Sequence, residues 1–521
     1  MRQELPDHLQ GLLRPEAYPH PVEAVRVITT HISWVLLTGE FAYKIKRPVR
    51  YPFVDLLSAE HRAFLCREEV RLNRRFAPEI YLDVCTVTSA QGKAQLGGTG
   101  QVIEHAVRMR QFNADSELAR LLERAQIEPS ELETFGRDLA VIHAGLPIAT
   151  ASQTWGRPET VDSVMLENVE QCADAAEALG GRNEVLALLE PLRARLGLSA
   201  QWMSGRFASG RVRECHGDLH AHNIVRRASR LLAFDCLEFD PALRWIDVAD
   251  EIAFLLADLD AGARPLHGQA FLGGYLERSG DYQACRLLDL YKAHRSLVRA
   301  KIVALRASEA DQLDPGYTLQ QRERCAAYID CARRSLRAAT PQLILMSGLS
   351  GSGKTWLARR LAPGLGAVHV RSDVERRRLA GLGEGERSSS GLGAGAYSEG
   401  MSARVYDRLA QCTRDILSGG FTAIVDATFH QRADRKRFSE LAMEFGIRAH
   451  LIHCHAPQSV LEQRITERSR RANDASEADL SVMRWQTTQF DVLEPGESFS
   501  VVDASTTDAD LMNRLVRELK F

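Results

Sequence analysis

Gly348-Leu349-Ser350-Gly351-Ser352-Gly353-Lys354-Thr355 follows the apolar run Leu343–Met346 and precedes the helical pattern Trp356-Leu357-Ala358-Arg359-Arg360-Leu361. The order strand, glycine-rich turn, helix gives this octapeptide a physical meaning. Backbone N–H groups of such a turn wrap a polyphosphate, and the next helix presents its positive N-terminus to the same anion. Gly348, Ser350, Gly351, Ser352 and Gly353 form the cradle. Lys354 is expected to reach the β- and γ-phosphates, and the Thr355 hydroxyl to hold Mg²⁺. A mobile Gly/Ser loop would match part of this pattern by accident, but not every fixed position with both flanks correct. ATP and Mg²⁺ are the expected cofactors.

Such a domain fills only part of a 521-residue chain, whose length suits two large domains or at most three. The composition is that of a globular protein, with 45% hydrophobic and 26% charged residues and a net charge of -2, so no general electrostatic affinity for nucleic acid is expected. The polar, acidic N-terminus (Met1-Arg2-Gln3-Glu4-Leu5-Pro6-Asp7) is unlike a signal peptide, and no apolar run approaches membrane-spanning length. Ten cysteines are scattered without a CxxC pair, which points to reduced thiols in the cytoplasm and against a structural zinc.

The texture changes near residue 340. Asp289 to Leu336 is long, helical and rich in Arg, Ala and Leu, interrupted near Asp314-Pro315-Gly316, and Thr340-Pro341 stops a helix just before the P-loop strand. The domains are placed at 1–335, with an N-lobe over about 1–105 and a C-lobe over about 106–335, and at 341–521. Gly381–Ala396 is dominated by Gly, Ser and Glu and reads as a substrate-side loop inside the second domain.

The first half carries its own phosphate chemistry. In His216-Gly217-Asp218-Leu219-His220-Ala221-His222-Asn223, an Asp is followed five residues later by an Asn. That is the layout of a loop in which Asp218 takes the proton of an attacking hydroxyl and Asn223 holds Mg²⁺. Twelve residues beyond Asn223, the apolar run Leu231-Leu232-Ala233-Phe234 delivers Asp235, a second carboxylate for metal. His216, His220 and His222 also suit zinc, with His220 and His222 alternating as on a strand. The Asp218/Asn223/Asp235 set accounts for more residues.

Ile32–Leu37 and Phe41–Ile45 read as a β-hairpin. Lys44 on its second strand is the candidate phosphate-binding lysine, and Lys46 shares its face by the two-residue period. Ala63–Phe76 reads as a helix whose Glu69, or alternatively Glu68, would pair with that lysine. Ordinary surface charges are the plain alternative for Lys44 and Glu69. Val102–Met109 would be the strand that meets adenine with backbone groups.

With these residues in view, the first roughly 330 residues resemble the aminoglycoside phosphotransferase-like branch of the protein-kinase-like fold. HGDLHAHN resembles that family's HGDxHxxN loop, and Phe234-Asp235 with Trp245-Ile246-Asp247-Val248-Ala249 resembles the stretch after that loop in the family. The resemblance implies a two-lobed domain, Asp218 as catalytic base, and Asn223 plus Asp235 as Mg²⁺ ligands. One departure stands out: the nucleotide-covering loop should fall near Thr29-Thr30-His31-Ile32-Ser33, which contains no glycine.

In the second half, Ala367–Val370 reads as a strand ending at Arg371-Ser372-Asp373, and Arg376-Arg377-Arg378 come next. Asp373 can face an acceptor hydroxyl or simply cap the helix, and Arg376 can hold an anionic substrate while its neighbours form a solvated face. Ala423–Val425 delivers Asp426 to the Mg²⁺ region. Arg464 and Arg468 lie four apart on one helical face, as a phosphate lid or as surface charges. GLSGSGKT, Ser372-Asp373-Val374-Glu375-Arg376 and Val425-Asp426-Ala427-Thr428 resemble the zeta-toxin-like and polynucleotide-kinase-like P-loop kinases, an AAA-type ATP-binding domain. That resemblance implies a five-stranded parallel sheet between helices, with Asp373 as general base.

The expectation is a bifunctional ATP-dependent phosphotransferase acting on a hydroxyl of a small polar molecule such as a sugar, nucleotide sugar or aminoglycoside. Two alternatives stay open: a P-loop enzyme regulated by a degenerate, ligand-binding kinase-like domain, and a nucleic-acid 5′-end kinase.

Overall fold

Apolar side chains recurring every second residue over Ser33–Leu37 and Phe41–Lys46 give one face of a hairpin to a core, and the two strands pair antiparallel with Trp34 opposite Ile45 and Val35 opposite Lys44. The computed structural model describes residues 5–51, 54–310, 315–383, 386, 398–471, 479–494, 497, 499–506, 508, 511 and 514–515. Gly381–Ala396 lies outside them except for 381–383 and 386, as does the 311–314 interruption. The chain divides into two units, one of Met1–Glu131, Val141–Ser163 and Met203–Asp258, the other of Leu132–Ala140, Val164–Trp202 and Leu259–Phe521.

In the first unit the hairpin sits within a six-stranded antiparallel sheet among the described residues, in the order Arg26–Thr29, Ser33–Leu37, Phe41–Lys46, Gln101–Arg110, Tyr81–Ala90, Lys93–Leu96. Helix Ala59–Asn73 is N-capped by Ser58, whose side chain accepts from the His61 amide. Its Cys66 and Val70 pack with Ala42, Ile80, Tyr81 and Val107 of the sheet side. Each fully buried aliphatic side chain here is worth roughly 1.5–3 kcal/mol, enough to bring the polar Glu69 on the same helix face inside with them. Strand Val212–Glu214, paired with Trp245–Asp247, leads into the loop containing Asp218. The hairpin Ile224–Arg227/Arg230–Ala233 then carries the chain to Asp235.

The second unit holds a five-stranded sheet among the described residues, every pairing parallel, in the order Val368–Arg371, Ala423–Asp426, Leu343–Ser347, Ala449–His455, Phe499–Ser505. A parallel sheet is covered on both faces, so its central strand reads as an unbroken apolar run. Leu343–Ser347 is buried at every position. Ile344 and Met346 pack with Leu357, Leu361, Ile424 and Ile452.

The same unit includes helix Pro265–Ser279, and its end is tied to helix Ser372–Leu379. The Arg378 guanidinium donates to the carbonyls of Glu277 (2.6 Å) and Arg278 (3.2 Å), and Arg408 donates to the Gly280 carbonyl (2.6 Å). Between the two arginines lies the fully buried Glu375, which accepts from both. Cations at a helix C-terminus satisfy carbonyls that have no partner within the helix. Arg378 therefore departs from the solvated face expected of the Arg376-Arg377-Arg378 run.

Candidate active sites

Five charged side chains drawn from separate stretches of the sequence meet in the first unit. Lys44 Nζ lies 2.8 Å from Glu69 Oε1 and donates to Asp235 Oδ1 at 2.5 Å. Lys46 Nζ donates to Glu69 Oε2 at 2.7 Å and also to Glu238. The two-residue period gave Lys44 and Lys46 the same face, and Glu69 takes both, one on each carboxylate oxygen. Glu68 instead pairs with Arg71 on the outer side of the helix. Burial opposes ionisation of Glu69, yet the two ammonium groups outweigh it and hold its carboxyl down at about 2. Burial likewise works against the charge on Lys44, and Asp235 with Glu69 overcomes it, keeping the amine well above its ordinary value. Glu238, for which the sequence offered no motif, is the partner that sequence reading missed; its carboxyl is pushed up, burial prevailing over the Lys46 attraction.

The loop that carries Asp218 is held from below. Both Glu251 oxygens accept backbone N–H groups, from His216 (2.7 Å) and Gly217 (3.0 Å), and Asp258 accepts from Ala221 (2.9 Å). Gly217 has φ +86°, and a Cβ there would meet the Leu243 carbonyl at 2.8 Å, so only glycine fits. Asn223 Nδ2 donates to the Asp218 carbonyl (3.0 Å) and carboxylate (2.9 Å), bringing the candidate base and the candidate metal ligand into contact. His220 Nε2 is 3.4 Å from the same carboxylate. His220 caps the short 3-10 turn Ala221–Asn223, so His220 and His222 do not alternate along a strand. Asp235 follows with φ +65°, a conformation unusual outside glycine, and its N–H donates to the Tyr81 hydroxyl (3.0 Å).

His143, Cys215 and Glu251 also approach one another closely, within 4.8 Å, and all three are buried. Because both Glu251 oxygens already receive loop amides, this cluster serves as a loop anchor. The turn between the first two strands, where a nucleotide-covering loop would fall, is tight: Thr30 N–H donates to the Ser33 carbonyl at 2.8 Å.

In the second unit the P-loop glycines adopt the geometry their residue type permits. Gly348 has φ +134° and a Cβ there would lie 2.1 Å from the Cys454 carbonyl; Gly351 and Gly353 are also at positive φ. The amides of Gly351 and Gly353 donate to no described residue, and the buried Ser352 Oγ has no partner among them. Two unpaired amides and an unpaired hydroxyl on one turn fit a phosphate group. Lys354 Nζ donates to the Gly348 (2.8 Å) and Leu349 (2.9 Å) carbonyls. Its pKa is lowered, first by burial, while the charges of Asp426 and Asp373 resist that change and Arg468 adds to it.

Thr355 Oγ1 donates to Asp426 Oδ2 at 2.6 Å, and His369 Nε2 lies 3.3 Å from the same oxygen. Burial raises the Asp426 pKa, but His369, Lys354 and Thr355 together hold it down at about 2, so it is ionised. An ionised carboxylate and a hydroxyl side by side are hard oxygen donors that fit Mg²⁺. Asp373 lies in the first turn of helix Ser372–Leu379, whose N-cap residue is Arg371, with no side-chain cap. Arg376 Nη1 donates to Ser402 Oγ at 3.4 Å. Arg464 is seated against the loop, donating to the Gly351 carbonyl (3.3 Å) and Thr506 Oγ1 (2.9 Å). A contact the sequence did not announce involves Ser350, whose N–H donates to Gln486 Oε1 at 2.9 Å.

Residues 343–493 match the family described as an AAA domain. Over 460 residues, 88% of this chain and 89% of the other, the sequence is 29% identical to a Mycobacterium tuberculosis (strain ATCC 25618 / H37Rv) protein named Uncharacterized protein Rv2004c. Among solved structures, a putative kinase from Chloroflexus aurantiacus is similar at 24% identity, covering 35% of this chain and 97% of that one, with a TM-score of 0.29. A choline/ethanolamine kinase family protein from Mesorhizobium loti covers 61% of this chain and 93% of its own at 14% identity, with a TM-score of 0.35. No described helix is long and apolar enough to cross a membrane.

Proposed function

We propose that this protein is an ATP-dependent phosphotransferase that moves the γ-phosphoryl group to a hydroxyl of a small polar molecule, with the P-loop unit as one catalytic centre. The observation that carries the reading is the Thr355–Asp426 pair beside the buried Lys354, at the mouth of a loop whose Gly351 and Gly353 amides donate to no described residue. The loop amides and Lys354 would bind and orient the polyphosphate, and Thr355 with Asp426 would hold Mg²⁺, which when bound neutralises charge on the transferred group. Asp373, whose charge reaches Lys354, is the proposed acceptor of the hydroxyl proton, and Arg376 the proposed contact to the acceptor molecule. Arg464 orders the loop from the nucleotide side, with Arg468 one turn further along the same face. Ten free thiols, nearly all buried, suit a cytoplasmic location.

In the first unit Asp218 is the proposed base and Asn223 with Asp235 the proposed metal ligands, with Lys44 and Glu69 as the nucleotide pair. A second reading, in which this unit binds a ligand without chemistry, is favoured by two observations. Asp235 Oδ1 is taken by Lys44, and the neighbouring turn lacks glycine. Sugars, nucleotide sugars and aminoglycoside-like molecules are the proposed acceptors; the net charge of -2 argues against a nucleic-acid end.

The test is ATP turnover with pooled sugars, nucleotide sugars, aminoglycosides and oligonucleotides, for wild type, Asp218→Ala and Lys354→Ala. Stimulated turnover lost only in Lys354→Ala places the chemistry in the P-loop unit. Loss only in Asp218→Ala places it in the first unit and overturns the assignment above.

A further inference from the structure

Gln486 stands out among the residues that motif reading left unused. It lies on helix Leu480–Thr488, is only 8% exposed, and its Oε1 accepts the Ser350 N–H at 2.9 Å. A backbone N–H can only donate, so the oxygen end of the carboxamide must face Ser350, and the chemistry fixes the amide orientation. The Nε2 donors then point elsewhere, and no described residue accepts from them. The anchored carboxamide therefore keeps its two Nε2 protons available for a ligand that enters the loop.

Its position says what that is. Lys354 Nζ rests on the carbonyls of Gly348 and Leu349, and a P-loop lysine marks the β/γ end of the phosphate chain. Ser350 is the next residue, so Gln486 is anchored at the γ end. The helix is registered there from a second direction: the Trp485 ring packs edge-on to His430 at 5.7 Å, just beyond the strand that delivers Asp426. The Asp491 N–H donates to the His430 carbonyl (2.9 Å), and the Asp491 carboxylate accepts from the Arg432 N–H (2.8 Å).

We propose that Gln486 reads the γ-phosphoryl group: Oε1 holds to the Ser350 amide while Nε2 donates to a γ-phosphate oxygen of the bound nucleotide. The unit would thus distinguish nucleoside triphosphate from diphosphate through a neutral donor on a helix outside the P-loop. This inference rests on the P-loop unit binding ATP.

The experiment measures affinity for ADP and for a non-hydrolysable ATP analogue by calorimetry, using the full chain as wild type, Gln486→Ala, Gln486→Glu and Lys354→Ala. Gln486→Glu keeps the shape and the acceptor for Ser350 but replaces the donors with a negative charge. The expected result is a loss of about tenfold or more in analogue affinity for both Gln486 variants, larger for Glu, with ADP affinity within about twofold of wild type. Equal losses for both nucleotides would mean a packing role, and a gain in analogue affinity for Gln486→Ala would mean that Gln486 blocks the loop. Either result overturns the proposal, as does wild-type discrimination in Gln486→Glu. Unchanged binding of both nucleotides in Lys354→Ala would instead sink the nucleotide-site reading itself, so the two failures are told apart.

Discussion

Thr355 and Asp426 are joined by a 2.6 Å hydrogen bond across 71 residues, the hydroxyl from the first turn after the P-loop and the carboxylate from the end of the adjacent parallel strand. The pairing arises from topology, since Met346 and Asp426 are register partners. Two groups that serve one ion should fail together. Thr355→Val and Asp426→Asn should each cut Mg²⁺-dependent turnover by about a hundredfold or more, and the double variant should be little worse than either single. Thr355→Ser should stay near wild type. Additive losses in steady-state kinetics would show that the two act separately.

The Lys44–Glu69–Lys46–Glu238 cluster is almost entirely buried, and breaking one side of such a pair leaves a charge stranded. Glu69→Gln should lower unfolding free energy by about 3–5 kcal/mol in urea titrations. Lys46→Met combined with Glu238→Leu should be closer to wild type than either alone, because the pair is removed whole.

Glycine at 348 answers a steric demand that no side chain meets. Gly348→Ala should abolish nucleotide binding at the P-loop while leaving ligand binding by the first unit unchanged. A calorimetric titration that finds wild-type nucleotide affinity in this variant would contradict the close approach to the Cys454 carbonyl.

Acid should weaken the first unit through His216. Burial, opposed by the nearby Asp218, lowers its pKa to about 4, and its two ring nitrogens face the Phe234 carbonyl and the Asp218 N–H. The neutral ring donates to one and accepts from the other; a second proton would set donor against donor. The folded pKa is depressed, so the stabilisation is fully present above the ordinary histidine value of about 6.5 and is lost as pH falls from there through about 4. The slope is at most about 1.4 kcal/mol per pH unit for one proton. The urea midpoint of the first unit should fall over this window, and less steeply in His216→Gln.

Much of the frame was legible. The apolar runs Leu343–Met346, Ala367–Val370 and Ala423–Val425 read as strands, and their parallel pairing was what the resemblance to P-loop kinases implied. The glycine-rich stretch read as a tight turn because glycine takes positive φ at little steric cost. The choice between Lys44 and Lys46 was not legible, since a period of two cannot separate residues on one face; the structure shows Glu69 between them. Glu238 and Gln486 carried no local signal, as each acquires its partner only through tertiary packing. The same holds for Arg378, which has the sequence of a solvated charge and the contacts of a helix cap.

That cap bears on how the chain can be divided. Helix Ser372–Leu379, which carries Asp373 and Arg376, is fastened by Arg378 and Arg408 to carbonyls at 277, 278 and 280, all upstream of the Thr340-Pro341 break. A fragment cut at 341 would keep the phosphate loop but lose the abutment for the helix that carries the proposed base. The joint visible in the sequence is therefore not a place to cut: the unit that holds the P-loop also takes in Leu132–Ala140 and Val164–Trp202 besides Leu259–Phe521, so no single break in the chain releases it whole.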